Sequence, residues 1–141
     1  MSLMKGKKGL IMGVANERSI AWGISQKLAT AGAELGFTYL GDALKKRVVP
    51  LAEKLNSKLT FSCDVEKKED VIKLFENVKS KWGEIDFVLH AVAFSDKSEL
   101  SGEYLNTTRK NFLKSMLISC FSFTEVSKEA SKIMKDGGSL L

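Results

Sequence analysis

Residues 13–23 read Gly13-Val14-Ala15-Asn16-Glu17-Arg18-Ser19-Ile20-Ala21-Trp22-Gly23, which has the form of a short loop between a buried strand and a helix. The apolar run Gly9–Met12 precedes this loop and is typical of a strand buried on both faces. Apolar residues then recur at helical spacing, at Ile20, Ile24, Leu28 and Ala31. Ser19 stands where its side chain can cap the first helical turn. Because the first N–H groups of a helix lack intrahelical acceptors and attract anions, the segment predicts a phosphate-binding loop.

The two glycines of this loop have separate expected roles. Gly13 permits a tight turn and a close approach of backbone, and Gly23 lacks a side chain that would hold the helix away from the sheet. Their spacing differs from the compact G-x-G-x-x-G fingerprint of dinucleotide-binding loops. The glycines alone therefore leave open an ordinary strand–loop–helix connection.

Length and composition narrow the class of protein. A chain of 141 residues can form one core but is short for a two-domain enzyme. The fractions of hydrophobic (44%) and charged (28%) residues are those of a globular domain and not of a disordered chain. No apolar run reaches the ~18 residues of a membrane span, and the N-terminus lacks the pattern of a signal peptide. We therefore expect a cytoplasmic protein without a membrane partner.

Charge and cysteine usage argue against two kinds of site. The net charge is +5, but acidic residues are interleaved with the lysines, which favours solvated helix faces over a nucleic-acid surface. Cys63 and Cys120 lie far apart, without a C-x-x-C motif or a His–Cys cluster. We expect no metal site and no disulfide, and we expect both cysteines to be buried thiols.

Strands and helices alternate along the whole chain. Four strands are predicted, over Gly9–Met12, Ala33–Leu40, Leu59–Cys63 and Phe87–Ala93. Helices are predicted over Ile20–Ala31, Ala43–Asn56, Lys68–Trp82 and Thr108–Lys135. Pro50 is a candidate kink or break in the second helix. A fifth strand should begin at Ser139–Leu141.

This alternation predicts an α/β fold with a doubly wound parallel sheet of the Rossmann type, because right-handed crossovers place helices on both faces. We expect a single dinucleotide-binding domain over residues 1–141 that is incomplete at its C-terminal side. Ligands of such sheets bind beyond the carboxyl ends of the strands. Those ends are Gly13, Leu40, Asp64 and the segment Ala91–Ser95.

Several motifs in this order resemble the short-chain dehydrogenase/reductase superfamily, and within it the enoyl-[acyl-carrier-protein] reductase branch. The most specific is the loop of residues 13–23, which matches the branch's G-x5-S-I-A-x-G pattern. Further matches are Gly32-Ala33-Glu34, Phe37-Thr38-Tyr39, Cys63-Asp64-Val65, and Trp82-Gly83-Glu84-Ile85-Asp86 leading to His90. The resemblance covers the whole chain and implies the last reductive step of type II fatty-acid elongation, with an enoyl thioester on acyl-carrier protein as substrate.

The resemblance also implies roles for individual residues. Gly13 and Ala15 leave room for the pyrophosphate and the adenosine ribose, and Ser19 and Ile20 meet the phosphates. Asp64 accepts the adenine amino group, with the Val65 backbone beside it. The remaining expected contacts are the nicotinamide-side ribose at Ala91, Val92 and Ala93, the acyl-substrate entrance at Ser95, and Leu40 at the end of the second strand.

The chain departs from the family pattern at two places. Ala91-Val92-Ala93 stands where Ser-Ile-Gly is frequent, and Leu40 replaces a residue that is often polar. Neither Leu40 nor Gly41 is basic, whereas a 2′-phosphate calls for Arg or Lys. We therefore expect NADH to be preferred over NADPH.

The family's catalytic tyrosine and lysine have no counterpart that we can assign. Tyr39 falls in a predicted strand, and Tyr104 falls in a loop without a lysine at the Tyr-x6-Lys spacing. We expect the pair beyond Leu141 and no catalytic residue within residues 1–141, and we expect the His90 ring to pack or form a hydrogen bond locally. The alternatives left open are a short-chain reductase of carbonyl substrates and a non-catalytic nucleotide-binding fragment.

The last predicted helix is a candidate oligomer surface. One face of this helix carries more apolar residues than a monomer needs to bury, namely Met116, Leu117, Cys120 and Phe123. Phe112 and Phe121 lie on the same helix, where packing against the sheet or a second subunit is expected. The resemblance implies a homotetramer.

Overall fold

The computed structural model describes residues 2–141 and contains one parallel sheet of five strands in the order β3-β2-β1-β4-β5. The strands are β1 Lys8–Met12, β2 Glu34–Tyr39, β3 Leu59–Ser62, β4 Phe87–His90 and β5 Ser139–Leu140. The helices are α1 Ile20–Thr30, α2 Gly41–Lys54, α3 Lys68–Trp82, α4 Arg109–Met116 and α5 Ser122–Ser131. All four strand pairings are parallel, which confirms the predicted doubly wound α/β class.

Two apolar layers cover the sheet, because successive residues of a strand face opposite sides. On one side Leu10 and Met12 of β1 pack with residues of α3 and α5, among them Val71, Leu74 and Val126. On the other side Ile11 and Phe37 pack with residues of α1 and α2, among them Trp22 and Val48. Helices on both faces explain why β1 is apolar without alternation.

The fourth strand is shorter than its sequence predicts. It ends at His90, and Ala91 makes the last contact with its neighbour by donating its N–H to the carbonyl oxygen of Met12 at 2.9 Å. β1 also ends at Met12, and Gly13 turns away with a φ of +107°. β1 therefore offers no partner to Val92 and Ala93, although their composition fits a strand.

Two helices also differ from expectation. Pro50 lies inside α2 without ending it, because Val48, Leu51 and Ala52 bury the helix against the sheet. The predicted long helix ends at Ser131 and is divided by the π-helical turn Leu117–Phe121 between α4 and α5. None of the helices within residues 2–141 combines the length and the apolar character needed to cross a membrane.

The buried face of α1 agrees only in part with the predicted one, since Ile24 and Leu28 pack partly against the core. Ala21, Trp22 and Ser25 are buried, whereas Ile20 is 80% exposed. Gly23 is exposed as well, and a Cβ placed on it would meet no heavy atom within 4 Å. The expected role of Gly23 in close helix–sheet packing is therefore wrong for the described residues.

The cysteine prediction is half correct. Cys63 is buried, and loss of solvent, followed by the nearby carboxylates of Asp70 and Asp64, raises the pKa of its thiol to about 12. Cys120 is exposed, because the π-helical turn directs it away from the sheet. Phe112 and Phe121 are likewise about half exposed and do not pack against the sheet.

Candidate functional site

Four loops gather at the carboxyl edge of the sheet. In spatial order they carry Asp64 after β3, Leu40 after β2, Gly13 after β1 and Ala91 after β4. The chain winds from β1 to β2 and β3 on one side and then returns to place β4 on the other side. β1 is therefore the switch point of the sheet, where doubly wound folds open a crevice for a ligand.

Gly13 is required by the approach of the neighbouring strand end. Its φ of +107° is unfavourable for residues with a side chain, and a Cβ there would overlap the carbonyl oxygen of Ala91. The predicted tight turn and close backbone approach are both present. The approaching group is the backbone that follows β4, which fixes the spacing of the loops on either side of the crevice.

Ser19 does not cap the helix with its side chain. Its Oγ instead accepts the N–H groups of Ala15 at 2.9 Å and Asn16 at 3.1 Å. The hydroxyl therefore closes the loop of residues 13–19 on itself, which corrects the capping prediction. Glu17 in the same loop pairs with Lys54 of α2 at 2.6 Å, and the ammonium group lowers the pKa of its carboxyl.

The first turn of α1 offers free donors. The N–H groups of Ile20 and Ala21 have no hydrogen-bond acceptor among residues 2–141. Such groups carry the positive end of the helix dipole. Unpaired donors, beside a loop with glycine at its start, fit the phosphate groups of a dinucleotide.

Asp64 and Val65 present a paired acceptor and donor. Asp64 Oδ1 accepts the N–H of Glu66 at 3.0 Å, which is the local turn that a purely structural role would require. Its Oδ2 has only the Lys67 ammonium nearby, at 3.8 Å. The Val65 N–H has no acceptor within the described part of the chain. The Asp64 side chain is only 18% exposed, but a carboxylate oxygen that accepts no N–H of the described residues, beside a free N–H, matches the amino group and ring nitrogen of adenine.

The end of β2 carries no basic group at the position of a second phosphate. Leu40 precedes α2 and is 52% exposed, and Asp42 lies in the first helical turn. The nearest lysine along the helix is Lys45, whose ammonium group lies 6.0 Å from the centre of the Tyr39 ring. An acidic first turn favours a ribose hydroxyl over a phosphate.

Residues 91–93 follow β4 as an exposed backbone edge. Ala91 and Ala93 are exposed, and Val92 packs partly against the core. Phe94 is then fixed by Ser119, whose Oγ accepts the Phe94 N–H at 2.9 Å and lies 3.2 Å from the Phe94 carbonyl oxygen. Ser119 of the π-helical turn, and not a residue of the sheet, therefore holds this segment in place.

Ser95 and Asp96 are held by Asn111, a buried residue of α4. Asn111 Nδ2 donates to Ser95 Oγ at 3.1 Å, and its Oδ1 accepts the Asp96 N–H at 2.8 Å. Sequence reasoning missed Asn111 and Ser119. The only available signal is their polarity on a helix that must also bury an apolar face, and that signal does not identify their partners.

His90 has the local role that its sequence position predicts. Its Nε2 lies 2.7 Å from Ser122 Oγ, and its ring meets Phe123 edge-on with centroids 5.6 Å apart. Burial lowers the pKa of His90, and a contact with its own backbone opposes the shift only in part. Ser122 also donates to the carbonyl oxygen of Ile118 at 2.6 Å, so His90 is tied to the helix beyond the π-helical turn.

A parallel sheet with its switch point at β1, free helix donors and an adenine-sized donor–acceptor pair are the features expected of a dinucleotide-binding α/β domain. The sequence model of the family described as Enoyl-(Acyl carrier protein) reductase matches residues 13–141. The chain belongs to this family.

Curated relatives and solved structures agree with that assignment. The chain is 57% identical over 139 residues to Enoyl-[acyl-carrier-protein] reductase [NADH] 2 of Rhizobium meliloti strain 1021, covering 99% of this chain and 52% of the relative. It matches an Anaplasma phagocytophilum enoyl reductase in complex with NAD at 54% identity and a TM-score of 0.94, covering 98% and 53% of the two chains. A Bacillus cereus reductase with NADP+ and an indole naphthyridinone matches at 44% identity and a TM-score of 0.95, covering 99% and 55%. The chain spans about half the length of the relatives it matches.

Proposed function

We infer that the gene product reduces trans-2-enoyl-acyl-carrier protein with NADH in fatty-acid elongation, and that residues 1–141 supply its dinucleotide-binding domain. The observation that supports this most directly is the set of unpaired donors and acceptors along one edge of the sheet. Phosphate donors lie at α1, an adenine-matching pair lies at Asp64 and Val65, and the backbone Ala91–Ala93 lies on the opposite side of β1. A dinucleotide that spans β1 can reach all three.

The order of the strands sets the direction of the bound cofactor. Asp64 and Val65 would hold the adenine, the N–H groups of Ile20 and Ala21 would hold the pyrophosphate, and Ala91–Ala93 would hold the nicotinamide ribose. The nicotinamide, when bound, supplies the hydride that reduces the enoyl double bond. Gly13 and Ala15 provide the space beside the phosphates, and Ser19 keeps their loop closed.

NADH is the proposed cofactor. Leu40 offers no polar contact to a 2′-phosphate, and the Asp42 carboxylate at the start of α2 repels one. The relatives in Rhizobium meliloti carry NADH in their names, and the Bacillus cereus structure contains NADP+. The first turn of α2 is thus the feature that selects NADH here.

The acyl substrate enters at Ser95, and the catalytic tyrosine and lysine belong to the part of the relatives that this chain does not span. Among the described residues, Tyr39 lies in β2 and Tyr104 begins the exposed 3₁₀ helix Tyr104–Asn106, so neither lies on a helix after the fifth strand, where the family's pair is expected. The exposed apolar residues of α4 and the π-helical turn, including Phe112 and Met116, support a homo-oligomer, which we propose is a tetramer.

A rate assay on the purified gene product tests the proposal. The loss of NADH absorbance is followed with trans-2-enoyl-acyl-carrier protein and, in parallel, with a 3-oxoacyl thioester of the same chain length. We expect oxidation of NADH with the enoyl substrate alone, and slower oxidation of NADPH. Turnover of the 3-oxoacyl substrate would favour a carbonyl reductase, and NADH binding without turnover of either would favour a non-catalytic nucleotide-binding protein.

A further inference from the structure

Ser95 is fixed in place from both sides before any ligand is present. Its predecessor Phe94 is held through its N–H and carbonyl groups by Ser119. Its successor Asp96 donates its N–H to Asn111 at 2.8 Å. A residue anchored at both neighbours has little freedom to move, so the direction of its side chain can be specified by one further contact.

Asn111 supplies that contact and sets the direction of the Ser95 hydroxyl. The Asn111 side chain is buried, and because its Oδ1 is occupied by the Asp96 N–H, its Nδ2 must face Ser95. Nδ2 can only donate, so Ser95 Oγ accepts at 3.1 Å. The Ser95 proton has no acceptor among residues 2–141 and is free to be donated to a ligand.

The charge beside Ser95 decides which acceptor fits. Two hydrogen bonds from Ser98, from its hydroxyl at 2.9 Å and its N–H at 3.1 Å, lower the pKa of the Asp96 carboxyl and keep it ionised. The positive charges of Lys110 and Lys114 also act on this carboxylate, and the Lys114 ammonium lies 4.9 Å from the centre of the Phe94 ring. Opposite charges therefore offset one another beside Ser95, and a neutral carbonyl oxygen is the acceptor that needs no further charge there.

We propose that Ser95 donates a hydrogen bond to an amide carbonyl of the pantetheine arm of the acyl substrate, and that Asn111 is a positioning residue that aims this hydroxyl. The inference rests on the proposed function, which brings an acyl thioester to this edge of the sheet. The pantetheine arm contains neutral amide carbonyls and reaches the crevice from outside, where Ser95 lies.

Two variants of the full-length gene product test the assignment. Ser95→Ala removes the donor. Asn111→Asp keeps an oxygen for the Asp96 N–H but replaces the Nδ2 donor with an acceptor, which recruits the Ser95 proton away from the substrate. We expect each to raise the KM for a trans-2-enoyl N-acetylcysteamine thioester about three- to ten-fold, with kcat and the Kd for NADH unchanged.

The two effects should not add. In the Ser95→Ala background, Asn111→Asp should raise KM no further, because both changes remove one hydrogen bond. Ser98→Ala is the matched control: it removes a hydroxyl from the same loop without touching Ser95, and Asp96 keeps its hydrogen bond from the Ser98 N–H and its charge at neutral pH. The KM of this variant should equal that of the unchanged protein. A trans-2-enoyl ethanethiol ester lacks the amide, so its KM should not respond to Ser95→Ala.

Each remaining outcome contradicts the assignment. Equal KM increases for the ethanethiol ester and the amide-containing ester would overturn the amide contact, and an equal increase in Ser98→Ala would reduce the effect to loosening of the loop. Unchanged KM in both variants, in a protein that reduces enoyl thioesters, would refute this inference alone. A protein that does not reduce enoyl thioesters would remove the proposed function and this inference together.

Discussion

Asp64→Asn tests the adenine contact with little change elsewhere. In the folded chain one carboxylate oxygen of Asp64 accepts the Glu66 N–H, and the other has only the Lys67 ammonium nearby, at 3.8 Å. Asparagine keeps an oxygen for the turn and places an NH2 group where the free oxygen was. The adenine amino group then meets a donor in place of an acceptor.

The expected loss of affinity follows from the charge of the acceptor. A hydrogen bond to an ionised group contributes about 1.5–3 kcal/mol, so its removal weakens binding of NADH roughly 10- to 150-fold. The free energy of unfolding should change by less than about 1 kcal/mol, because the turn hydrogen bond to Glu66 is retained.

The assay is a fluorescence titration with two ligands. NADH carries the 6-amino group of adenine, and its hypoxanthine analogue carries a 6-oxo group. The unchanged protein should bind NADH more tightly, because Asp64 accepts from the amino group but repels the oxo group. The variant should lose or reverse this preference, since an asparagine NH2 donates to an oxo group.

The neighbouring residue provides the control. Glu66→Gln removes one negative charge from the same turn, and the Glu66 carboxylate lies 3.7 Å from Lys114, away from the proposed adenine position. It should leave the preference between the two ligands intact. If Asp64→Asn retains both its affinity for NADH and its preference for the amino group, Asp64 serves the turn alone and the adenine assignment is wrong.

Three further predictions concern stability and reactivity. Gly13→Ala should lower the free energy of unfolding, measured in urea, by about 3 kcal/mol or more, because the new methyl group would strain the backbone and overlap the Ala91 carbonyl oxygen. Gly23→Ala should leave that free energy unchanged or raise it by up to about 1 kcal/mol, because the site is open. Equal stabilities of the two variants would contradict this geometry. Cys63 should resist a thiol reagent at about pH 8 until urea unfolds the protein, as mapped by mass spectrometry, while Cys120 reacts unless a neighbouring subunit covers it. Partial burial raises the pKa of Asp86, but the Lys8 N–H at 2.8 Å and the Lys7 ammonium at 3.0 Å lower the pKa overall. Asp86 therefore stabilises the fold above about pH 4, and this contribution is lost as the pH falls. Asp86→Asn should make the free energy of unfolding less dependent on pH in the acid range, and an unchanged dependence would contradict this.

The strands, and the edge of the sheet that carries the site, could be predicted because a strand buried on both faces is apolar at every position. A run such as Gly9–Met12 has no polar residue, and an amphipathic helix follows each such run. Strand ends are less visible. Nothing in the composition of Ala91–Ala93 separates it from a strand, and the turn at Gly13 removes the β1 partner with which it would pair.

The supporting residues of the site could not be predicted, because each acts on a segment distant in sequence. Asn111 lies 15 residues from Asp96, Ser119 lies 25 from Phe94, and Ser122 lies 32 from His90. Local propensity describes a helix at these positions, but the π-helical turn changes which side of that helix faces the strand end. That rotation depends on tertiary packing.

The prediction that the Ser19 side chain caps α1 is wrong, and the contact that Ser19 makes instead strengthens the argument for an anion at the first turn of α1. A serine at this position has two competing sets of donors: those of the helix and those of the loop before it. Here the hydroxyl oxygen takes the N–H groups of Ala15 and Asn16. A serine that capped the helix would satisfy one of its donors and reduce its attraction for phosphate. Because Ser19 closes the loop, Ile20 and Ala21 keep their N–H groups free, and the loop that delivers them is held in shape before a ligand binds.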